Sequence, residues 1–240
     1  MSEKMPVDKK ILVSKSISKK FDERLILDNI NFEMHSGEIL GLLGPSGIGK
    51  TTLLNILVGT EKQTQGEIIN FHNSKIGYVF QEDRLFEWLS LFENVKIVSE
   101  NIDEKIIWEN LSLVGLKDYY NYFPKELSGG MRQRGSIARA LTFAANILLF
   151  DEPFKSLDVK LRFELLDLMK KLKKEKNISI LFVTHDIEEA LYACDRILIM
   201  KGQPAKISKE INISNSRIDH KLSIEKEVEL KREILSSLYD

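Results

Sequence analysis

Cysteine is nearly absent. The single Cys194 in 240 residues leaves no partner for an intrachain disulfide and too few thiols for a cysteine-held metal cluster, which suits a reducing compartment and a core role for Cys194 itself. No apolar run approaches the roughly eighteen residues of a membrane-crossing helix. The opening Met1-Ser-Glu-Lys-Met-Pro6 has no signal-peptide core, so the chain is expected on the cytoplasmic side. Charge of either sign is in no excess: 35 Lys and Arg against 36 Asp and Glu give a net charge of -1, and nucleic acid is not an expected partner. Repeats and low-complexity linkers are also missing. With 43% apolar residues, the length suffices for a large core, read as one domain with a subdomain.

What is present begins with Gly44-Pro45-Ser46-Gly47-Ile48-Gly49-Lys50-Thr51, followed by Thr52. Glycines at its first and sixth positions and a closing Lys-Thr fit the phosphate-loop pattern. Ile39 to Leu43 is an apolar run of strand length, and Lys50 to Val58 has helical apolar spacing, so the glycines fall on a strand-to-helix turn. There, backbone N–H groups and the positive end of a helix meet an anion. Lys50 is expected to reach the β- and γ-phosphates of a nucleotide, and Thr51 to offer its hydroxyl to Mg²⁺.

A second acidic element is expected near such a loop, and Ile147-Leu-Leu-Phe-Asp151-Glu152-Pro153 supplies it. An isolated Asp-Glu pair reads as a solvated turn. Four preceding apolar residues instead make a buried parallel strand that delivers the acids at its C-terminal end. Asp151 is then placed to hold Mg²⁺ through its water shell and Glu152 to act as general base on a water, with Pro153 stopping the strand. Ile178 to Val183 is another buried-strand run, which brings His185 to the same edge. His35, His72 and His220 have no such context, and no chemistry is assigned to them.

With Leu127-Ser128-Gly129-Gly130-Met131 and the downstream motifs added, the chain resembles the nucleotide-binding subunit of ABC transporters over nearly its whole length. Phe21 is similar to the aromatic that stacks on adenine. Gln81, after Tyr78-Val-Phe80, resembles the glutamine that touches Mg²⁺ and the attacking water. Ser156-Leu157-Asp158 resembles the D-loop, and Thr184-His185-Asp186 the switch histidine, which the resemblance assigns to the γ-phosphate. Leu-Ser-Gly-Gly alone would be an ordinary helix cap. Ahead of the helix-compatible Met131 to Ala145 it also resembles a second phosphate cradle, which the family resemblance assigns to the nucleotide of a partner copy through Ser128, Gly129 and Gly130.

The resemblance therefore implies ATP and Mg²⁺ as cofactors and a head-to-tail homodimer of C₂ symmetry. It further implies an integral membrane permease, reached on the cytoplasmic face of the membrane, and indirectly an extracytoplasmic solute-binding protein. Phe86 and Trp88 lie where family members receive the permease, and stand either as exposed anchors or as internal packing. Trp88-Leu-Ser90 and Glu93-Asn-Val95 resemble importers of the nitrate, sulfonate and taurine group, with Glu87 in place of the usual Pro. Lys155-Ser156 departs from the common Gly-Ala. A soluble P-loop kinase would not need the Leu127 to Met131 signature. A non-transport ABC ATPase is one alternative, though the long coiled coils of DNA-repair relatives and the second cassette of translation relatives are absent; an exporter is the other and shares every catalytic motif, so the direction of transport rests on the membrane partner.

The expected fold is α/β: a P-loop NTPase core with a mostly parallel sheet, an antiparallel β region near the N-terminus and an inserted α-helical subdomain. Residues 1–82 and 146–215 are read as the core, 83–145 as the helical subdomain, with Asp103 to Val114 helical and Tyr119 to Pro124 as packing. Lys170 to Lys176 reads as a solvated helix end. Residues 216–240 are read as a helical tail, which leaves no room for an appended regulatory domain.

Overall fold

The computed structural model describes residues 9–71, 74–98, 102–143, 145–154, 157–216 and 222–239. The opening segment Met1 to Pro6, His72, His220 and the Lys155-Ser156 pair lie outside them. Two sheets organise the described residues. The first is antiparallel in the order β2-β1-β4, from β1 (Lys10–Phe21), β2 (Arg24–His35) and β4 (Gln65–Asn70). The second has the order β5-β6-β7-β3-β8-β9, from β3 (Ile39–Leu43), β5 (Ile76–Val79), β6 (Ile147–Asp151), β7 (Ser179–Thr184), β8 (Arg196–Lys201) and β9 (Lys206–Asn212). Its first five strands run parallel, and β9 closes the edge antiparallel to β8.

Burial on both faces explains the central strands. All residues of β3 and β7 are buried, as are the first four of β6, and a strand covered on both sides needs such continuous apolar runs. Alternate side chains go to different cores. Ile39, Leu43, Leu148, Phe150, Ile180 and Phe182 pack with α2 (Leu91–Lys96), α3 (Glu104–Leu113), α4 (Gly129–Thr142), α5 (Val159–Lys176), α6 (Ile187–Ala193) and α7 (Ile224–Tyr239). Leu40, Leu42, Leu149, Leu181 and Val183 pack with α1 (Lys50–Leu57) and the antiparallel sheet. The glycine loop between β3 and α1 is thus pinned by cores on both sides.

Three details differ from the sequence reading. α4 begins at Gly129, two residues before Met131, because the Ser128 hydroxyl accepts from the Met131 N–H and caps a first turn built from the glycines themselves. Lys206 to Asn212 is a strand, although its run of polar residues carries little apolar signal. Lys173 is not merely solvated, since its ammonium holds both oxygens of Asp195 at 2.6 and 2.7 Å. Cys194 is buried, and a Cβ placed on Gly41 would come within 2.8 Å of its sulfur.

One polar clamp sets the register from which the glycine loop departs. Arg196, opposite Leu40 in the ladder, donates from Nε and Nη2 to the two oxygens of Glu38 at 3.0 Å each, and from Nη2 to the Glu33 carbonyl at 2.7 Å. Glu210 also pairs with it. Both Arg196 and Glu38 are largely buried, and removing one member of such a pair strands the other charge. Glu38→Ala should lower unfolding free energy by about 3 kcal/mol in urea titration; a change under about 1 kcal/mol would show that the clamp does not hold this register.

Candidate active site

The glycine loop is shaped by where it must pass. A Cβ on Gly44 would sit 2.5 Å from the Met200 carbonyl oxygen, so the chain leaves β3 against the backbone of β8 and only glycine fits. Gly49, with φ of 114°, takes the position before α1 and brings no side chain to cap it. The first-turn N–H groups of α1 therefore face the loop with no side-chain acceptor, and Gly47 stands in open space. Ile48 turns inward and packs in the core with α1. Pro45 and Ser46 are exposed, Thr51 is exposed and Thr52 half-buried at the start of α1.

Lys50 is 4% exposed. Its ammonium donates to the carbonyls of Gly44 at 2.8 Å and Pro45 at 2.9 Å, and lies 3.1 Å from Oε1 of Glu152. A buried cation requires such compensation. Glu152 reaches it because the strand stops at Asp151: φ of Glu152 is 44°, in the left-handed region, while its N–H donates to the Val183 carbonyl at 3.1 Å. A non-glycine residue there costs about 1–3 kcal/mol, which the surroundings must offset. The turn also sets Oε2 of Glu152 within 3.2 Å of Nδ1 of His185. One carboxylate thus spans a lysine and a histidine from two other elements.

Asp151 faces the start of α1. Its Oδ2 accepts from the Thr51 hydroxyl at 2.9 Å and from the Tyr78 hydroxyl at 2.9 Å. Burial and the adjacent Asp151 charge push the Tyr78 phenol far above its ordinary range, so it remains a donor. No cluster of three or more His, Cys, Asp or Glu side chains suited to a metal occurs among the described residues. Thr51 and Asp151 form an incomplete oxygen set, of the kind a hard cation completes with water and phosphate oxygens. Gln81 is exposed just past β5, whose last ladder pair is Val79 with Phe150, so it emerges at the edge where Asp151 ends β6.

The histidine has a polar frame behind it. Thr184 donates to Glu189 at 2.6 Å and accepts from the N–H of Asp186 at 3.0 Å; Asp186 caps α6. Arg162 donates to Asp186 at 3.1 Å and holds its Nε 3.3 Å from Glu189, whose carboxyl burial pushes up. These groups and Glu152 line a cavity of about 90 Å³.

The remaining sequence candidates sit at the periphery. Phe21 ends β1, is 43% exposed and has the Lys19 ammonium 4.4 Å from its ring centre. Asp158 caps α5 by accepting from the Leu161 N–H at 3.0 Å. Ser128 caps α4, with exposed Gly129 next to it, and a Cβ on Gly130 would strike Leu161 at 2.4 Å, so the first turns of α4 and α5 abut. Among the described residues no hydrogen bond or ion pair joins Ser128, Gly129 or Gly130 to the glycine loop. Tyr78, Arg162 and Glu189 were not singled out by sequence reasoning. Arg162 follows the cap Asp158 by one helical turn, and Tyr78 precedes Gln81 near the end of a strand; those placements were the available signals.

A parallel sheet that brings a lysine-bearing glycine loop and two acids to one edge is the arrangement of a P-loop nucleotide hydrolase. Comparison with known proteins narrows the class. The family described as "ABC transporter" matches residues 27–155. The aliphatic sulfonates import ATP-binding protein SsuB of Bacillus cereus (strain ZK / E33L) is 41% identical over 213 residues, covering 83% of each chain. Among solved structures, cbiO1 from Clostridium perfringens, part of the ABC transporter complex cbiONQ, superposes with a TM-score of 0.81 at 25% identity, over 95% of each chain. The dimeric post-hydrolysis structure of the ATP-binding cassette MJ0796, bound to ADP and Pi, gives 0.72 at 32% identity, over 84% of this chain and 98% of that one. The chain belongs to the ABC transporter family, as an ATP-binding and ATP-hydrolysing subunit.

Lys50→Ala removes the buried cation of the loop. ATP affinity in equilibrium titration should fall about tenfold or more, the loss of one charge-assisted contact; unchanged affinity would mean that Lys50 does not meet the nucleotide.

Proposed function

We propose that the chain hydrolyses Mg²⁺-ATP as one half of a symmetric dimer and energises import of a small solute of the nitrate, sulfonate or taurine kind through a separate permease. The contact that carries the catalytic part is Glu152 held between Lys50 and His185, beside Thr51 and Asp151. The loop N–H groups and Lys50 bind the phosphates, so Lys50 exchanges the Gly44 and Pro45 carbonyls and Glu152 for phosphate oxygens. Glu152, released from Lys50, takes a proton from water as the water oxygen bonds to γ-phosphorus and the bond to the β,γ-bridging oxygen breaks. His185 orients Glu152 and donates to the γ-phosphate. Mg²⁺ would neutralise charge on the β- and γ-oxygens, with Thr51, Asp151 and Gln81 as its protein neighbours. Phe21 stacks on the adenine.

The dimer reading is supported by the separation of Ser128, Gly129 and Gly130 from the loop of their own chain, and by the dimeric structure of the MJ0796 relative. Those residues serve the partner's nucleotide, with Asp158 at the same interface, and the contact is isologous. For the permease, a groove of about 370 Å³ is lined by Tyr78, Phe80, Arg84, Phe86, Ile97 and Phe143. Trp88 is 73% and Phe86 37% exposed, so the packing alternative for Trp88 is set aside and both serve as anchors. The groove lies between β5 and the helical subdomain, 83–145, which is inserted between core segments 1–82 and 146–215, with 216–240 as a tail. No helix among the described residues is long and apolar enough to cross a membrane; attachment to the cytoplasmic face runs through the permease. The import direction and the solute group rest on the SsuB relatives' name and the Trp88 to Val95 pattern, and an extracytoplasmic solute-binding protein follows from the import reading.

Glu152→Gln should retain ATP binding, cut hydrolysis at least about 100-fold and accumulate a dimer in ATP, read by phosphate release and light scattering. Parental turnover would remove Glu152 as the base. Ser128→Arg should bind ATP as a monomer yet form no ATP-dependent dimer, and persistence of the dimer would sink the composite site. Tagged Glu152→Gln protein, recovered with ATP from solubilised native membranes, should carry a multispanning permease encoded beside a solute receptor; soluble or nucleic-acid partners alone would overturn the transport reading.

A further inference from the structure

Tyr78 belongs at once to the surface groove and to the nucleotide site. On β5, Gly77 and Val79 are buried while Tyr78 is half-buried, and its ring lines the groove together with Phe80, Arg84 and Phe86. Residues two apart on a strand share a face, and here the two rings stack, centroids 4.2 Å apart at 29°. The Arg84 guanidinium covers the other ring at 3.9 Å from the Phe80 centroid. Arg84 is itself fixed: its backbone φ is 47° and its carbonyl accepts from Arg139 at 2.8 Å. At the far end of the column the Tyr78 hydroxyl donates to Oδ2 of Asp151 at 2.9 Å.

We propose that Tyr78 is a positioning residue for Asp151, fixing that carboxylate toward a nucleotide-bound divalent cation, and that the Arg84, Phe80 and Tyr78 column lets the permease segment assigned to the groove act on the cation site. The inference rests on the ATPase reading above. Thr51, the other donor to Oδ2, has its own task toward the nucleotide, so Tyr78 is the donor left to orient the acid. A hydrogen-bond partner of this kind to a ligating group is typically worth about 10–100-fold in metal affinity. The ring also reaches from Asp151 to the groove without an intervening backbone segment, so a shift of Phe80 or Arg84 is felt at the hydroxyl rather than absorbed by a loop.

The test uses the full chain carrying Glu152→Gln and a fluorescent ATP analogue, titrated with EDTA and then with Mn²⁺. The gain in analogue affinity caused by Mn²⁺ reports the cation site apart from the phosphate loop. Tyr78→Phe keeps the ring and its stack, and should cut that gain about tenfold while affinity in EDTA stays within twofold. A gain within twofold of the parent overturns the proposal. An equal loss in EDTA overturns it too, because a disturbed site rather than an unoriented carboxylate would cause it. Phe80→Leu keeps the hydroxyl but removes the stack, and should lower the Mn²⁺ gain several-fold, in the range of a lost orienting contact; a parental gain there overturns the link to the groove. A parent that binds no analogue in either condition overturns the ATPase reading itself, and this inference with it.

Discussion

Burial of the Lys50 ammonium is the constraint from which the site follows. An amine taken out of water costs several kcal/mol unless donors and charge are matched, and the match here comes from three places: two carbonyls of its own loop and the carboxylate of Glu152. The loop carbonyls turn inward only because Gly44 tolerates the backbone of β8 and Gly49 takes a left-handed φ. The carboxylate arrives only because β6 lies one strand from β3, across β7. Remove any of these and the cation is stranded.

The same requirement explains the strained turn at Glu152. A β strand that continued straight to Pro153 would alternate the side chains of Asp151 and Glu152 to opposite faces. The left-handed turn ends the strand at Asp151 instead and sends two adjacent carboxylates to different duties, Asp151 toward Thr51 and Glu152 toward Lys50 and His185. His185 is held for its part by Thr184 and Asp186, whose positions depend on Arg162 and Glu189. Strain at one residue is thus offset by ion pairs and hydrogen bonds anchored on β7, α5 and α6.

How much of this was legible in the sequence follows from how local each signal is. Gly44 to Thr51 and Asp151-Glu152 were readable because each motif sits at the end of a buried apolar run, so strand, stop and side chain share a few consecutive residues. The central parallel strands were readable for the same reason. What was not readable depends on side chains meeting across the fold. Tyr78 touches Asp151 through the pairing of β5 with β6, and Arg162 touches Asp186 across two helices; no spacing in the chain encodes either. β9 was missed because its stability comes from pairing with β8, not from apolar content of its own. The start of α4 was misjudged because helix propensity disfavours Gly129 and Gly130, whereas the Ser128 cap and the close approach of Leu161 favour them.

The Lys50 and Glu152 pair also bears on how hydrolysis is kept in step with binding. In the mechanism proposed above, Glu152 is restrained before a nucleotide arrives, because its carboxylate lies 3.1 Å from the Lys50 ammonium and is one of the three groups that hold it. A phosphate that takes over Lys50 removes the restraint and supplies the substrate in the same event. His185 lies 3.2 Å from the other Glu152 oxygen, a contact that in this proposal keeps the freed carboxylate aimed rather than turning to solvent. On that proposal the base is freed only when the loop is filled, and the ion pair that stabilises the loop doubles as the restraint on its chemistry.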